Sequence, residues 1–232
     1  MTDPVISMAF KPTEFPISPL IFGHFIEFIE NCMIGGVYDP DSPASDEKGI
    51  RQDVLEKAKG LRPAILRWPG GTFANTYHWM DAIGPLPQRR KRKNLIWGGI
   101  VDNAFGTAEF IQYCRALGAE PMLCVNMASG TAQEAAEWVE YCNGPVTSEY
   151  GRIRVERGHP EPYNVKFWSL GNEIGYRHME GRLLKALLPL LGEEARGQHT
   201  REHEAKDMAH LSGVGYFCCS NPAMGYGEHH QD

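Results

Sequence analysis

The strongest constraint on this chain is an alternation of short apolar stretches with helical ones, most of the apolar stretches closing on a polar residue. Ala64 to Trp68, Pro121 to Asn126 and Val165 to Leu170 read as buried strands. Between them, Gln52 to Gly60, Thr107 to Leu117 and Thr131 to Tyr141 carry the apolar period of amphipathic helices. Upstream, Val5 to Phe10 is strand-like, and Leu20 to Glu27 reads as a further buried strand with a carboxylate at its end. Short apolar strands separated by helices make βα units and a parallel sheet. The polar groups at the strand ends are Glu27, Arg67, Asn126, and Asn172 with Glu173. In an eight-stranded βα barrel the C-terminal strand ends converge on the active site, so the expected fold is α/β of the (β/α)8 TIM-barrel type. No G-x-G-x-x-G follows a strand and no G-x-x-x-x-G-K-[ST] occurs, which disfavours a nucleotide-binding sheet.

Composition narrows the partners. With 42% hydrophobic and 22% charged residues over 232 positions, the chain expects a packed core. Its formal charge of -6 speaks against nucleic acid or an anionic membrane as partner, and suits a neutral ligand. No apolar run approaches the length of a membrane span, and Met1-Thr2-Asp3-Pro4 does not open an export signal. Six scattered cysteines without a C-x-x-C pair read as reduced thiols, hence a cytoplasmic setting. The basic run Arg89-Arg90-Lys91-Arg92-Lys93 alone would resemble a nuclear-localisation patch. Because it continues directly into Asn94-Leu95-Ile96-Trp97-Gly98-Gly99, it is read as a solvated loop on the active-site side.

The chemistry concentrates at Glu173. An acid just past a buried strand is partly desolvated, which raises its pKa and suits it to hold a proton near neutrality as a general acid. Asn172 beside it can hydrogen-bond a sugar hydroxyl such as the 2-OH, a contact that strengthens as an oxocarbenium-like state develops. The same spacing also fits a glutamate capping a helix start, and spacing alone does not separate the two.

Four ordered segments carry a family resemblance: Leu66-Arg67-Trp68-Pro69-Gly70-Gly71-Thr72-Phe73, Lys93 to Gly99, Glu137 to Asn143, and Trp168-Ser169-Leu170-Gly171-Asn172-Glu173. Together they resemble glycoside hydrolase family 51, the intracellular-type α-L-arabinofuranosidases. The resemblance implies retaining hydrolysis of terminal arabinofuranosyl groups from arabinose-containing oligosaccharides, without cofactor or metal. It implies Glu173 as general acid/base and Asn172 as its sugar-binding neighbour. Glu27 matches a carboxylate that grips furanose hydroxyls, Arg67 an arginine that orients carboxylates, and Trp97 an aromatic wall of the subsite. Thr72 stands where many members carry Asn or Cys after Pro-Gly-Gly, and its hydroxyl can still hydrogen-bond. Tyr77, His78 and Trp79 could line the same pocket. Family members are commonly oligomeric, which makes a homo-oligomer one expectation, and aggregation through the broad apolar faces of half a barrel the other.

The resemblance fades between Arg177 and Gly181, so the expected organisation is 1–181 as the N-terminal part of the barrel, holding about four βα units, and 182–232 as an unmatched, irregular or partly helical tail. The family's second carboxylate, the nucleophile, is not found. Glu193, Glu194, Glu202, Glu204 and Glu228 do not follow a buried strand. A truncation or reading-frame change would account for the tail, and would leave a catalytically incomplete fragment or sugar-binding remnant. The tail histidines His199, His203, His210, His229 and His230, with Cys218 and Cys219, fit no zinc spacing and are read as solvated. A different retaining βα-barrel glycosidase is the remaining alternative.

Overall fold

The computed structural model describes residues 17–172 and, as backbone, the pair Tyr216–Phe217. The expected strand Val5 to Phe10, Glu173 itself, and the tail acids, histidines and cysteines lie outside the described residues.

The element order begins with a 3-10 turn, Pro19–Phe22, and continues through β1 (His24–Phe25), α1 (Gln52–Leu61) and β2 (Ile65–Trp68). After three further 3-10 turns come a short hairpin of β3 (Arg92–Lys93) and β4 (Ile100–Val101), then α2 (Thr107–Leu117) and β5 (Glu120–Cys124). The described part closes with α3 (Ala132–Asn143), α4 (Glu149–Glu156), β6 (Phe167–Ser169) and β7 (Tyr216–Phe217). One sheet runs β1-β2-β5-β6-β7, and each neighbouring pair in it is parallel. This is the α/β architecture the strand-helix alternation predicts, with the C-terminal ends of all the strands on one rim.

Local chemistry sets the helix boundaries. The Glu109 carboxylate accepts the Gly106 N–H at 2.9 Å at the start of α2, and Gly118 closes that helix at φ 77°. Thr131 caps α3 by accepting from the Glu134 N–H at 3.0 Å, and Ser148 caps α4 through the Gly151 N–H at 3.2 Å.

The core is aromatic. Trp68, fully buried, has Tyr77 and Phe110 rings at 5.2 Å and Phe28, Phe105 and Trp138 slightly farther out. Trp138 extends the cluster to Trp168 and to Trp79, which stacks on it with an interplanar angle of 3°. Its indole N–H is satisfied inside the core by Thr107 Oγ1 at 3.0 Å.

Three expectations are corrected here. Leu20 to Glu27 is not a buried strand but a 3-10 turn followed by two strand residues, with Ile21, Phe22 and Phe25 each more than 60% exposed. β1 is the edge of the described sheet, so half of its apolar surface has no neighbour there. Within the stretch expected to be irregular, Tyr216–Phe217 forms a fifth parallel strand against β6. The basic run is not simply solvated, because Arg89 is buried and held by Glu109 while Arg92 pairs with Asp81.

Candidate active site

Three of the residues singled out in the sequence meet at the rim. Arg67, on β2, donates from Nη2 to Glu27 Oε1 at 2.6 Å and from Nη1 to Asn172 Oδ1 at 3.1 Å. The partners lie 40 and 105 residues away along the chain, and only the parallel sheet brings them together. Glu27 and Arg67 side chains are both largely buried, and Asn172 is buried. The Arg67 guanidinium also lies over the Phe25 ring at 5.4 Å, which fixes its plane on the other side.

The Pro-Gly-Gly turn is what lets Glu27 approach. Gly70 and Gly71 lie at φ 59° and 57°, where side-chain-bearing residues are strained, and both pack against the Glu27 side chain. A Cβ on Gly70 would fall 2.9 Å from Glu27 Cγ, and one on Gly71 would meet the carboxylate oxygens more closely still. Glycines at these positions therefore serve the site as well as the turn.

Asn172 is the last residue described before Glu173, and its position follows from β6. Ser169, fully buried, donates its hydroxyl to the Gly171 carbonyl at 3.0 Å and so shapes the turn out of the strand. The Asn172 carbonyl accepts from Asn75 Nδ2 at 3.4 Å. Asn75 was not among the expected residues. Its carbonyl accepts from the Ser129 hydroxyl at 2.8 Å, so it joins the loops that follow β2, β5 and β6. Its position three residues past Thr72, in a strand-end loop, is the sequence signal that could have found it.

The other expected residues are placed differently. Asn126 is buried at its strand end, but it is spent on structure: Nδ2 donates to the Tyr77 carbonyl and the Ser129 hydroxyl, and Oδ1 accepts the Ala128 and Ser129 amides. Thr72 is exposed in the turn after Gly71. Tyr77 and Trp79 are buried in the aromatic core, where burial drives the Tyr77 phenol pKa well up. His78 Nδ1 pairs with Glu134 Oε1 at 2.8 Å. Trp97 is 56% exposed and lines a cavity of about 310 Å³ with Phe28, Glu30, Met33 and Asn94. Of these lining residues, Phe28 is the chain neighbour of Glu27.

A family model for the alpha-L-arabinofuranosidase 1 domain matches residues 57–182. The chain belongs to this family. The match takes in Arg67, Thr72, Trp97, Asn172 and Glu173, while Glu27 lies ahead of it. Alpha-L-arabinofuranosidase C of Emericella nidulans is 51% identical to this arabinofuranosidase-domain chain over 158 residues, 68% of the chain and 31% of the relative. The intracellular exo-alpha-(1->5)-L-arabinofuranosidase of Acetivibrio thermocellus is 40% identical over the same shares. The chain thus spans about a third of the length of the curated relatives it matches. Among solved structures, the GH51 alpha-L-arabinofuranosidase of Thermotoga petrophila superposes with a TM-score of 0.68 at 46% identity, covering 82% of this chain and 38% of that one. The arabinose complex of the Thermotoga maritima enzyme gives 0.69 at 43% identity, covering 87% and 40%.

Proposed function

We propose that this arabinofuranosidase-domain chain carries the acid/base half of the active site of a retaining enzyme that removes terminal α-L-arabinofuranosyl groups from arabinose-containing oligosaccharides. The observation that carries the reading is the Glu27–Arg67–Asn172 array at the parallel strand ends, directly ahead of Glu173 and within a chain similar to named arabinofuranosidases. Arg67 occupies Asn172 Oδ1, which turns the amide NH₂ of Asn172 into the donor left for the sugar's 2-OH. Arg67 also occupies Glu27 Oε1, and the reading assigns the other carboxylate oxygen to furanose hydroxyls. Glu173 protonates the leaving oxygen, then takes a proton from the water that releases the sugar. Trp97 offers an apolar wall, and the Thr72 hydroxyl a further hydrogen bond at the mouth. The bond-making carboxylate of a retaining mechanism must sit about 5 to 5.5 Å from the acid/base. Among the described residues, the rim carboxylate is Glu27, and it is engaged with Arg67.

The family match ends at residue 182, which supports a change in the character of the sequence near 181, although Tyr216–Phe217 beyond it still adds a strand to the sheet. Similarity to an intracellular exo-acting relative supports a cytoplasmic setting, and the family resemblance a homo-oligomer. Neither cofactor nor metal is assigned a role.

The test is hydrolysis of 4-nitrophenyl α-L-arabinofuranoside by the purified chain, together with L-arabinose binding followed by saturation-transfer NMR. Binding that is lost in Arg67→Ala, with no turnover, is the expected result. Turnover that disappears in Glu173→Gln would place the nucleophile within this chain and overturn the half-site reading; a folded chain that binds no arabinose would overturn the sugar site.

A further inference from the structure

The β3–β4 hairpin presents Trp97, yet almost nothing within the hairpin fixes where it stands. Each strand has two residues, and an isolated two-stranded hairpin is marginal in water. Its tip is exposed: Leu95 is 70% and Ile100 68% accessible. Gly98 and Gly99 follow Trp97 at φ 79° and 78° with open space around both. Asn94 organises the tip locally, its Oδ1 accepting the Ile96 and Trp97 amides at 3.0 Å. That turn fixes Trp97 relative to the hairpin, not relative to the sheet.

The base supplies the rest. Arg89 is buried beneath it, its side chain 5% exposed, and spends its whole guanidinium there. Nε donates to the Gly84 carbonyl at 2.9 Å, and Nη1 to the Asn103 and Ala104 carbonyls at 3.1 and 3.0 Å. Nη1 and Nη2 grip Glu109 at 3.1 and 2.7 Å. Glu109 in turn holds the first turn of α2, so the arginine joins both ends of the hairpin segment to a helix packed on the sheet. Asn103, itself at φ 57°, donates to the Arg90 carbonyl at 2.6 Å across the two ends, and Arg92 pairs with Asp81.

We infer that Arg89 is a positioning residue for the sugar site, setting the place of Trp97 over its cavity through the hairpin base, with Arg92 as a weaker second anchor. The inference rests on the proposed role of Trp97 as a subsite wall. A bidentate, five-contact guanidinium is a geometric clamp that lysine, a point charge, reproduces only in part.

The protein carries its own probe. Trp68, Trp79, Trp138 and Trp168 are buried, and Trp97 alone of the five tryptophans is exposed. Iodide quenching of the 232-residue chain, with Trp97→Phe as the subtraction control, therefore reads the hairpin. Arg89→Met should change the Trp97 quenching constant by about twofold, since a severed buried ion pair frees the segment it held. Arg89→Lys should recover part of that change, while near-ultraviolet circular dichroism from the buried tryptophans stays as in the parent. Arg92→Met, at a half-exposed position, serves if Arg89→Met does not fold, and should move the constant in the same direction by less. Unchanged Trp97 quenching in whichever of these variants folds overturns the anchor. The second arm adds an arabino-oligosaccharide: protection of Trp97 in the parent that weakens in the variants supports positioning for the sugar. Altered quenching without any sugar protection in the parent would leave the clamp standing but remove its link to the site, and would count against the proposed role of Trp97 rather than against Glu173.

Discussion

At the scale of single residues, the site was legible where chemistry demands a particular group. Glu27, Arg67 and Asn172 were marked by being polar at the ends of apolar runs, and they meet in space. Asn126 shares that signature but satisfies its own turn, because an asparagine side chain competes readily for nearby backbone amides. Tyr77 and Trp79 carry a different signal: aromatic residues in a loop near a site suggest a sugar wall, and the 3-10 turns place both among the buried aromatic rings. His159 gives a residue-scale prediction. Burial is the main cause of its lowered pKa, and the nearby Arg115 and Arg154 act in the same direction, against Glu109. The folded chain therefore resists protonating His159, whereas the unfolded chain accepts a proton near the ordinary value of about 6.5. Its neutral form supports stability fully above that value, and the support is lost as pH falls from there through the lowered folded pKa. Urea midpoints measured from pH 8 to pH 5 should fall more steeply for the parent than for His159→Gln. Parallel curves would show that this group does not contribute.

At the scale of elements, Arg154 shows how two helices are tied without a partner carboxylate. It is fully buried on α4, and it donates to the Tyr141 and Gly144 carbonyls at 2.8 and 2.9 Å and to the His159 carbonyl at 3.1 Å. Two of these acceptors lie at the C-terminal end of α3, where the helix dipole favours a cation. Arg154→Met should keep much of the volume yet strand those carbonyls, lowering unfolding free energy by about 3 kcal/mol in guanidinium denaturation. A loss under about 1 kcal/mol would mean that water replaces the guanidinium. This helix was not read from the sequence, and the reason is physical: Glu149 to Glu156 is short and dominated by charged residues, so no apolar stripe announces it. Its burial comes from Gly151 and from Arg154, residues that a hydrophobic pattern does not count. The β3–β4 hairpin escaped for a related reason, since two-residue strands are too short to show an alternation. By contrast, α1, α2 and α3 were legible within a residue or two because each pairs a clear period with a stop or cap.

At the scale of the whole molecule, the parallel sheet was legible from strand-helix alternation, but the exposure of its first strand was not. An apolar run signals that a segment wants cover, and it carries no information about whether a neighbour is present. In the described residues β1 has β2 on one side only, and Ile21 and Phe22 beside it are 64% and 66% exposed. Such an edge offers unpaired backbone groups next to apolar side chains, which favours association with other chains. Replacing both residues, as Ile21→Lys with Phe22→Glu, adds opposite charges at the edge and leaves Phe25, which packs on Arg67, in place. The double variant should bind less 8-anilinonaphthalene-1-sulfonate and should show less growth of apparent mass with concentration on size exclusion. The Arg67 array faces the rim rather than this edge turn, so L-arabinose binding should be unaffected. If dye binding and association are the same in parent and variant, the exposed turn is not the adhesive surface, and the open side of the sheet must be covered by other parts of the chain. If arabinose binding falls along with association, the edge and the rim are coupled through β1, which carries Phe25 at one step and leads to Glu27 two residues later.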